Sequence, residues 1–134
     1  MVRRQPRAGQ RVARLKRRTL GKFTSGREQH HHHVYVVLLD AAAAKFRKVR
    51  LLNPKRDPGK PCVYVGLTGL SPEERFANHQ AGIKSSSLVR RFGIMLLPEL
   101  YAHLNPMPYA AAAQMEQDLT EDLRRAGYTV VGGH

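Results

Sequence analysis

Acidic residues are scarce in this chain, cysteine is nearly absent, and no apolar run is long. Ten Asp and Glu face 23 Lys and Arg over 134 residues, for a formal net charge of +13. The one cysteine, Cys62, leaves no internal disulfide to form and fits a reducing compartment such as the cytoplasm. Cys62 sits in an apolar stretch, so its thiol is expected to be buried and inert. No segment approaches the roughly 18 consecutive apolar residues of a membrane span, so no membrane partner is expected. The basic N-terminus lacks the apolar stretch of a secretory signal, although an Arg-rich start also resembles a transit peptide. With 42% hydrophobic residues, the chain can bury one modest core and reads as one domain with spare length.

The positive charge is unevenly spread. Residues 1–30 hold ten Lys and Arg against Glu28 alone. Residues 31–61 hold seven against Asp40 and Asp57, whereas residues 62–134 hold six against seven acids. Charge is thus added outside the expected core, which points to a polyanionic partner, most simply nucleic acid. Arg47, Lys48, Arg50, Lys55, Arg56, Lys60 and Lys84 are the candidate phosphate contacts. The plain alternative is a solubilising tail. Residues 1–31 read as a basic, disordered tail with too little apolar surface to offset ordering entropy. Where the tail meets the folded domain, His30–His33 lacks the ligand spacing of a structural zinc site.

Residues 32–134 read as the folded domain, with a basic insertion at about 41–61. His33-Val34-Tyr35-Val36-Val37-Leu38-Leu39-Asp40 and Cys62-Val63-Tyr64-Val65-Gly66-Leu67-Thr68-Gly69 are short β-branched runs typical of buried strands. They are expected to pair antiparallel, with the basic segment as a long hairpin connection. Ala41–Ala44 suits a helical turn, and Asn53-Pro54 and Asp57-Pro58-Gly59 are turn signals. Ser71-Pro72-Glu73-Glu74 is a capping-box helix start, and that helix should end near Gly82. Ser86 or Ser87 should cap a short helix through Phe92. Met95-Leu96-Leu97 could be a third strand, Tyr109 to Ala126 the longest helix, and Tyr128–Val131 a terminal strand. The expected fold class is α/β (α+β): a small, mainly antiparallel sheet flanked by helices.

Arg75 and His79 fall one turn apart on one helix face. Such a face could hold a phosphate between a guanidinium and an imidazole, or be an ordinary solvated surface. On the last helix Ala112, Met115, Leu119 and Leu123 form an apolar stripe. Glu116 lies roughly 55° from its centre at about 100° per residue. Asp118 and Glu121 point further outward. Asp122 flanks the other side at a similar angle, so periodicity leaves Glu116 and Asp122 both open as a carboxylate over the sheet. Tyrosines in strands are most often core aromatics with a bonded hydroxyl.

Val34-Tyr35, Tyr64-Val65-Gly66, Arg75, His79 and Glu116, in that order, resemble the motifs of the GIY-YIG nuclease superfamily over residues 33–134. The resemblance implies a metal-dependent endonuclease that hydrolyses phosphodiester bonds of nucleic acid, with DNA as the expected form. Tyr35 would act with, or as, the general base for water. Tyr64, Arg75 and His79 would surround the scissile phosphate, and Glu116 would bind Mg²⁺ or Mn²⁺. Three departures stand out. His33 replaces the first-motif glycine, and the segment between motifs is longer than the usual hairpin connection. No asparagine follows Glu116, and His134 is the only polar ring near that end. The rival reading is a non-catalytic nucleic-acid-binding protein on a degenerate scaffold of the same kind.

Overall fold

A computed structural model describes residues 29–132 of the chain. The expected tail therefore lies almost wholly outside the described residues, as does His134. Strand β1 runs His33–Leu39 and β2 runs Cys62–Thr68. They pair antiparallel in one register, from His33 opposite Thr68 to Leu39 opposite Cys62. Four consecutive β1 residues, Val34 to Val37, are buried, so helices cover both faces of the strand, as its unbroken apolar run implies.

The long connection is more than a hairpin loop. After a 3₁₀ turn at Ala41–Lys45 comes a short helix, α1, at Arg47–Leu52. Helix α2 spans Pro72–Ala81. The Ser71 hydroxyl accepts the Glu74 amide at its start, and Gly82 ends it in the left-handed region at φ 79°, where glycine lacks the steric cost of a Cβ. Helix α3 spans Ser87–Phe92 behind a Ser86 cap and leads into strand β3, Gly93–Leu96. Helix α4 covers Tyr109–Arg125, and strand β4 covers Thr129–Gly132. The fold is α+β, with a four-stranded mixed sheet in the order β3-β1-β2-β4. The β1–β2 and β1–β3 pairs are antiparallel, and β4 runs parallel to β2.

The expected stripe on α4 is its core face: Ala112, Met115, Leu119 and Leu123 are all fully buried. They share one core with Val34 to Val37, Val63, Val65 and Val130. Two asparagine side chains complete the sheet where no strand does so. Asn105 accepts the Val34 amide at 2.9 Å and donates to the Val34 carbonyl at 2.6 Å. Asn53 treats Val130 on edge strand β4 in the same way, accepting its amide at 2.8 Å and donating to its carbonyl at 3.0 Å. Backbone groups that would otherwise be orphaned in the interior are thereby satisfied.

Candidate active site

The β1–β2 register decides which side chains meet. Tyr35 lies opposite Gly66 and Val37 opposite Tyr64. With side chains alternating along a strand, both tyrosines emerge on one face of the sheet. Their ring centroids are 6.1 Å apart. Gly66 makes room for this: a Cβ there would come within 2.5 Å of the Tyr35 Cζ and Oη atoms. The glycine is needed because the Tyr35 ring crosses the neighbouring strand where a side chain would stand.

Helix α2 brings Arg75 and His79 to the same place. Arg75 is half-buried. Its Nη1 donates to the Ile83 carbonyl at 3.3 Å and its Nη2 to the Lys84 carbonyl at 2.7 Å. The guanidinium thus fastens the loop between α2 and α3, in which Lys84 adopts a positive φ of 45°. His79 is fully buried. Its Nε2 lies 2.8 Å from the Tyr35 hydroxyl, and its Nδ1 accepts the Ser86 amide at 3.1 Å. A backbone amide can only donate, so Nδ1 carries no proton and Nε2–H donates to Tyr35. Burial, and then the charge of Arg75, push the imidazole down to about 4, so it is neutral at physiological pH. With both nitrogens used inside the protein, His79 sits behind Tyr35 rather than on the exposed helix face where it could grip a phosphate.

The two phenols are not equivalent. Tyr35 is only 1% exposed, whereas Tyr64 is half-buried and lines a surface cavity. Burial raises the Tyr35 pKa most, Tyr64 raises it further, and Arg75 opposes both. Burial also raises Tyr64, a hydrogen bond with Tyr35 lowers it, Glu116 raises it and Arg75 lowers it. The hydrogen bonds run from the Ser86 amide to His79 and from His79 to Tyr35, and Tyr64 stands beside Tyr35. Of the two phenols, Tyr64 is the one that solvent reaches.

Glu116 completes the cluster. Its carboxylate is half-buried and acts on Tyr64 electrostatically, which separates it from its rival. Asp122, by contrast, is buried. Asp118, expected to point outward, is half-buried and accepts from the Gln114 side chain at 3.0 Å. Among the described residues, no group of three or more His, Cys, Asp or Glu is placed to hold a metal ion. A hard carboxylate beside a phenol suits Mg²⁺ or Mn²⁺ only as part of a shell completed by water and phosphate. Cys62 is buried, and burial pushes its thiol up to about 11, in keeping with an inert side chain.

The basic candidates Arg47, Lys48, Arg50, Lys55, Arg56, Lys60 and Lys84 are all exposed. Two neighbouring hollows, which share Arg124, take up three of them. Lys48 lines the same cavity as Tyr64. Lys55 and Arg56 line a different hollow, with Arg124 and Arg125. Arg56 donates to the Asn53 carbonyl at 3.2 Å, and the Lys60 ammonium sits 5.8 Å from the Tyr128 ring centroid. Two contributors escaped the sequence. The Ser86 amide was legible only as a helix-cap position, and Asn53 only as part of a turn. Comparison with protein-family models, with curated proteins and with solved structures finds no match to this chain.

Proposed function

We propose that this protein is a metal-dependent endonuclease that hydrolyses phosphodiester bonds in nucleic acid, with DNA as the expected substrate. The observation that carries this reading is the convergence of Tyr35, Tyr64, Arg75, His79 and Glu116, from β1, β2, α2 and α4, on one electrostatically coupled cluster. The resemblance to the GIY-YIG nucleases rests on these five together with Gly66 and the motif residues Val34 and Val65.

In the proposed reaction, water attacks phosphorus, the ester P–O bond breaks, and the leaving oxygen takes a proton from solvent water. Tyr64, the phenol within reach of solvent, first gives up its own proton to solvent and then, as the phenolate, accepts the proton of the attacking water. Tyr35, its hydroxyl held by His79 and its ring packed near that of Tyr64, backs that phenolate from the sealed side. His79 supports Tyr35 from behind through Nε2–H. Arg75, held by two loop carbonyls, meets charge developing on the phosphate with a guanidinium already oriented. Glu116 would hold the cation, with phosphate and water as its other ligands. Such a cation, when bound, stabilises charge on the phosphoryl oxygens and makes the attacking water and neighbouring phenol more acidic. That help matters, because burial raises both phenols in the substrate-free protein.

The test is cleavage of supercoiled DNA and of structured RNA with Mg²⁺ or Mn²⁺, comparing wild type with Glu116→Ala, Tyr64→Phe and Tyr35→Phe. Loss of cleavage in Glu116→Ala with nucleic-acid binding retained is the expected result. Binding without cleavage in the wild type would favour the non-catalytic reading, to which the sealed position of Tyr35 and its raised pKa lend support.

A further inference from the structure

A cavity of about 460 Å³ opens beside the cluster. Six of its lining residues define its chemistry: Lys48, Leu52, Tyr64, Ser86, Leu88 and Arg124. Two of them belong to the cluster: Tyr64 packs beside Tyr35 and His79, and the Ser86 amide bonds His79, so the cavity adjoins the proposed point of reaction. The remainder come from different parts of the chain. Lys48 and Leu52 belong to α1 in the basic insertion, Leu88 to α3 and Arg124 to α4. The volume falls in the range of about 300–1,000 Å³ typical of small-molecule sites.

The lining is divided in a way that suits one kind of guest. Leu52, Leu88 and the Tyr64 ring offer apolar and aromatic surface. Lys48 is exposed and brings positive charge from the mouth side. Arg124 is fixed, its Nε donating to Asn53 Oδ1 at 3.1 Å and its Nη2 to the Val130 carbonyl at 3.2 Å. A nucleotide has this same division: a flat base to lie against rings and aliphatic chains, and a phosphate to meet cations. A single base taken out of its stack, next to a phosphate, is the fragment that the hollow would fit.

We propose that this cavity receives one nucleobase of the bound strand, the one flanking the phosphate that meets Tyr64 and Arg75. The insertion at 41–61 then has a defined role, in which α1 supplies a wall of the base pocket and a cation for the adjoining phosphate. This inference rests on the nuclease reading for its choice of strand as ligand, but it concerns binding and not the chemical step.

Photocrosslinking tests it. Single-stranded and duplex DNA carrying one 5-iodouracil are irradiated with the full chain in the absence of divalent metal, and the adduct is mapped by mass spectrometry. The expected adduct lies on the peptide containing Tyr64. It should fall about fivefold or more in Leu88→Trp, which fills the cavity, and in Lys48→Glu, a surface change with little risk to folding. Total DNA binding should change less than about threefold in Leu88→Trp, because the cations elsewhere still meet phosphates. Adducts confined to other segments, or a Tyr64 adduct that both variants leave intact, would overturn the proposal. The nuclease reading is scored separately, by Glu116-dependent cleavage of the same DNA with Mg²⁺. A Tyr64 adduct without cleavage would keep the pocket and remove the nuclease, and cleavage without the adduct would do the reverse.

Discussion

The site has a sealed half and an open half, and they answer to different physics. The sealed half is Tyr35 and His79, both essentially without solvent contact. It is tied together by a 2.8 Å bond and closed by the Ser86 amide. The open half is Tyr64, Arg75 and Glu116, all partly exposed, with a cavity against Tyr64. Buried polar groups are costly to leave unpaired, so the sealed half is bound into the fold's stability. The open half keeps groups available to a ligand, where damage should be felt in turnover. What looks in sequence like a uniform set of five motif residues is thus a support and a working surface.

The largest separation between the halves should come from Arg75→Ala. If the guanidinium meets charge in the transition state, turnover should fall by about 10²–10³-fold, while DNA affinity, carried by many surface cations, changes far less. Steady-state kinetics alongside equilibrium binding would show it. Equal losses in both, with turnover of bound substrate unchanged, would reduce Arg75 to an ordinary phosphate contact.

Gly66→Ala should break the other side of the comparison. The added methyl would fall within 2.5 Å of the Tyr35 ring, and that ring has no room to retreat because it is buried. Overpacking of this kind costs about 1–3 kcal/mol. The expected outcome is a clear drop in the unfolding midpoint. A fully stable Gly66→Ala protein would mean that the Tyr35 ring can move, and the sealed half would not be rigid.

His79 gives the same distinction a pH dependence. In the folded protein its imidazole titrates at about 4, whereas an unfolded chain takes up that proton near 6.5. Between these values the unfolded state binds more protons, so the contribution is full above about pH 6.5 and is lost as pH falls toward 4. The loss should be on the order of 2–3 kcal/mol. His79→Gln keeps hydrogen-bonding capacity but cannot titrate there. Denaturant unfolding of both proteins from pH 7 to pH 4 should show a steeper decline in wild type. Parallel curves would place the imidazole in contact with solvent.

Local signals carried much of this structure. Ser71, Pro72, Glu74 and Gly82 bracket α2 by capping alone. The stripe of Ala112, Met115, Leu119 and Leu123 identifies the buried face of α4. Helix α1 left a weaker trace: Phe46 makes no side-chain cap, Leu51 and Leu52 are exposed, and only Val49 is buried. The division of the site into halves was not legible either. Spacing puts Arg75 and His79 on one face of a helix, but His79 is sealed by Tyr35, 44 residues earlier in the chain. Asn53 likewise reads as a turn residue because its partner, Val130, lies 77 residues away. Such roles arise from packing between distant segments, which no local pattern encodes.

The smallest expected effect lies at the surface, where the comparison sharpens into a matter of affinity. Lys55 is exposed in the insertion, beside Arg56, Arg124 and Arg125. If it meets a phosphate, Lys55→Ala should lower the slope of log affinity against log salt by about 0.9 on duplex DNA. At a fixed moderate salt this is a change of only a few-fold, so the slope is the sensitive readout. His79→Gln provides the contrast, since a neutral buried ring neutralises no phosphate and its removal should leave the slope as it was. Fluorescence anisotropy at four or five salt concentrations would measure both. A slope unmoved by Lys55→Ala would take this hollow out of the nucleic-acid surface and leave Lys48, next to Tyr64, as the insertion's contribution to binding.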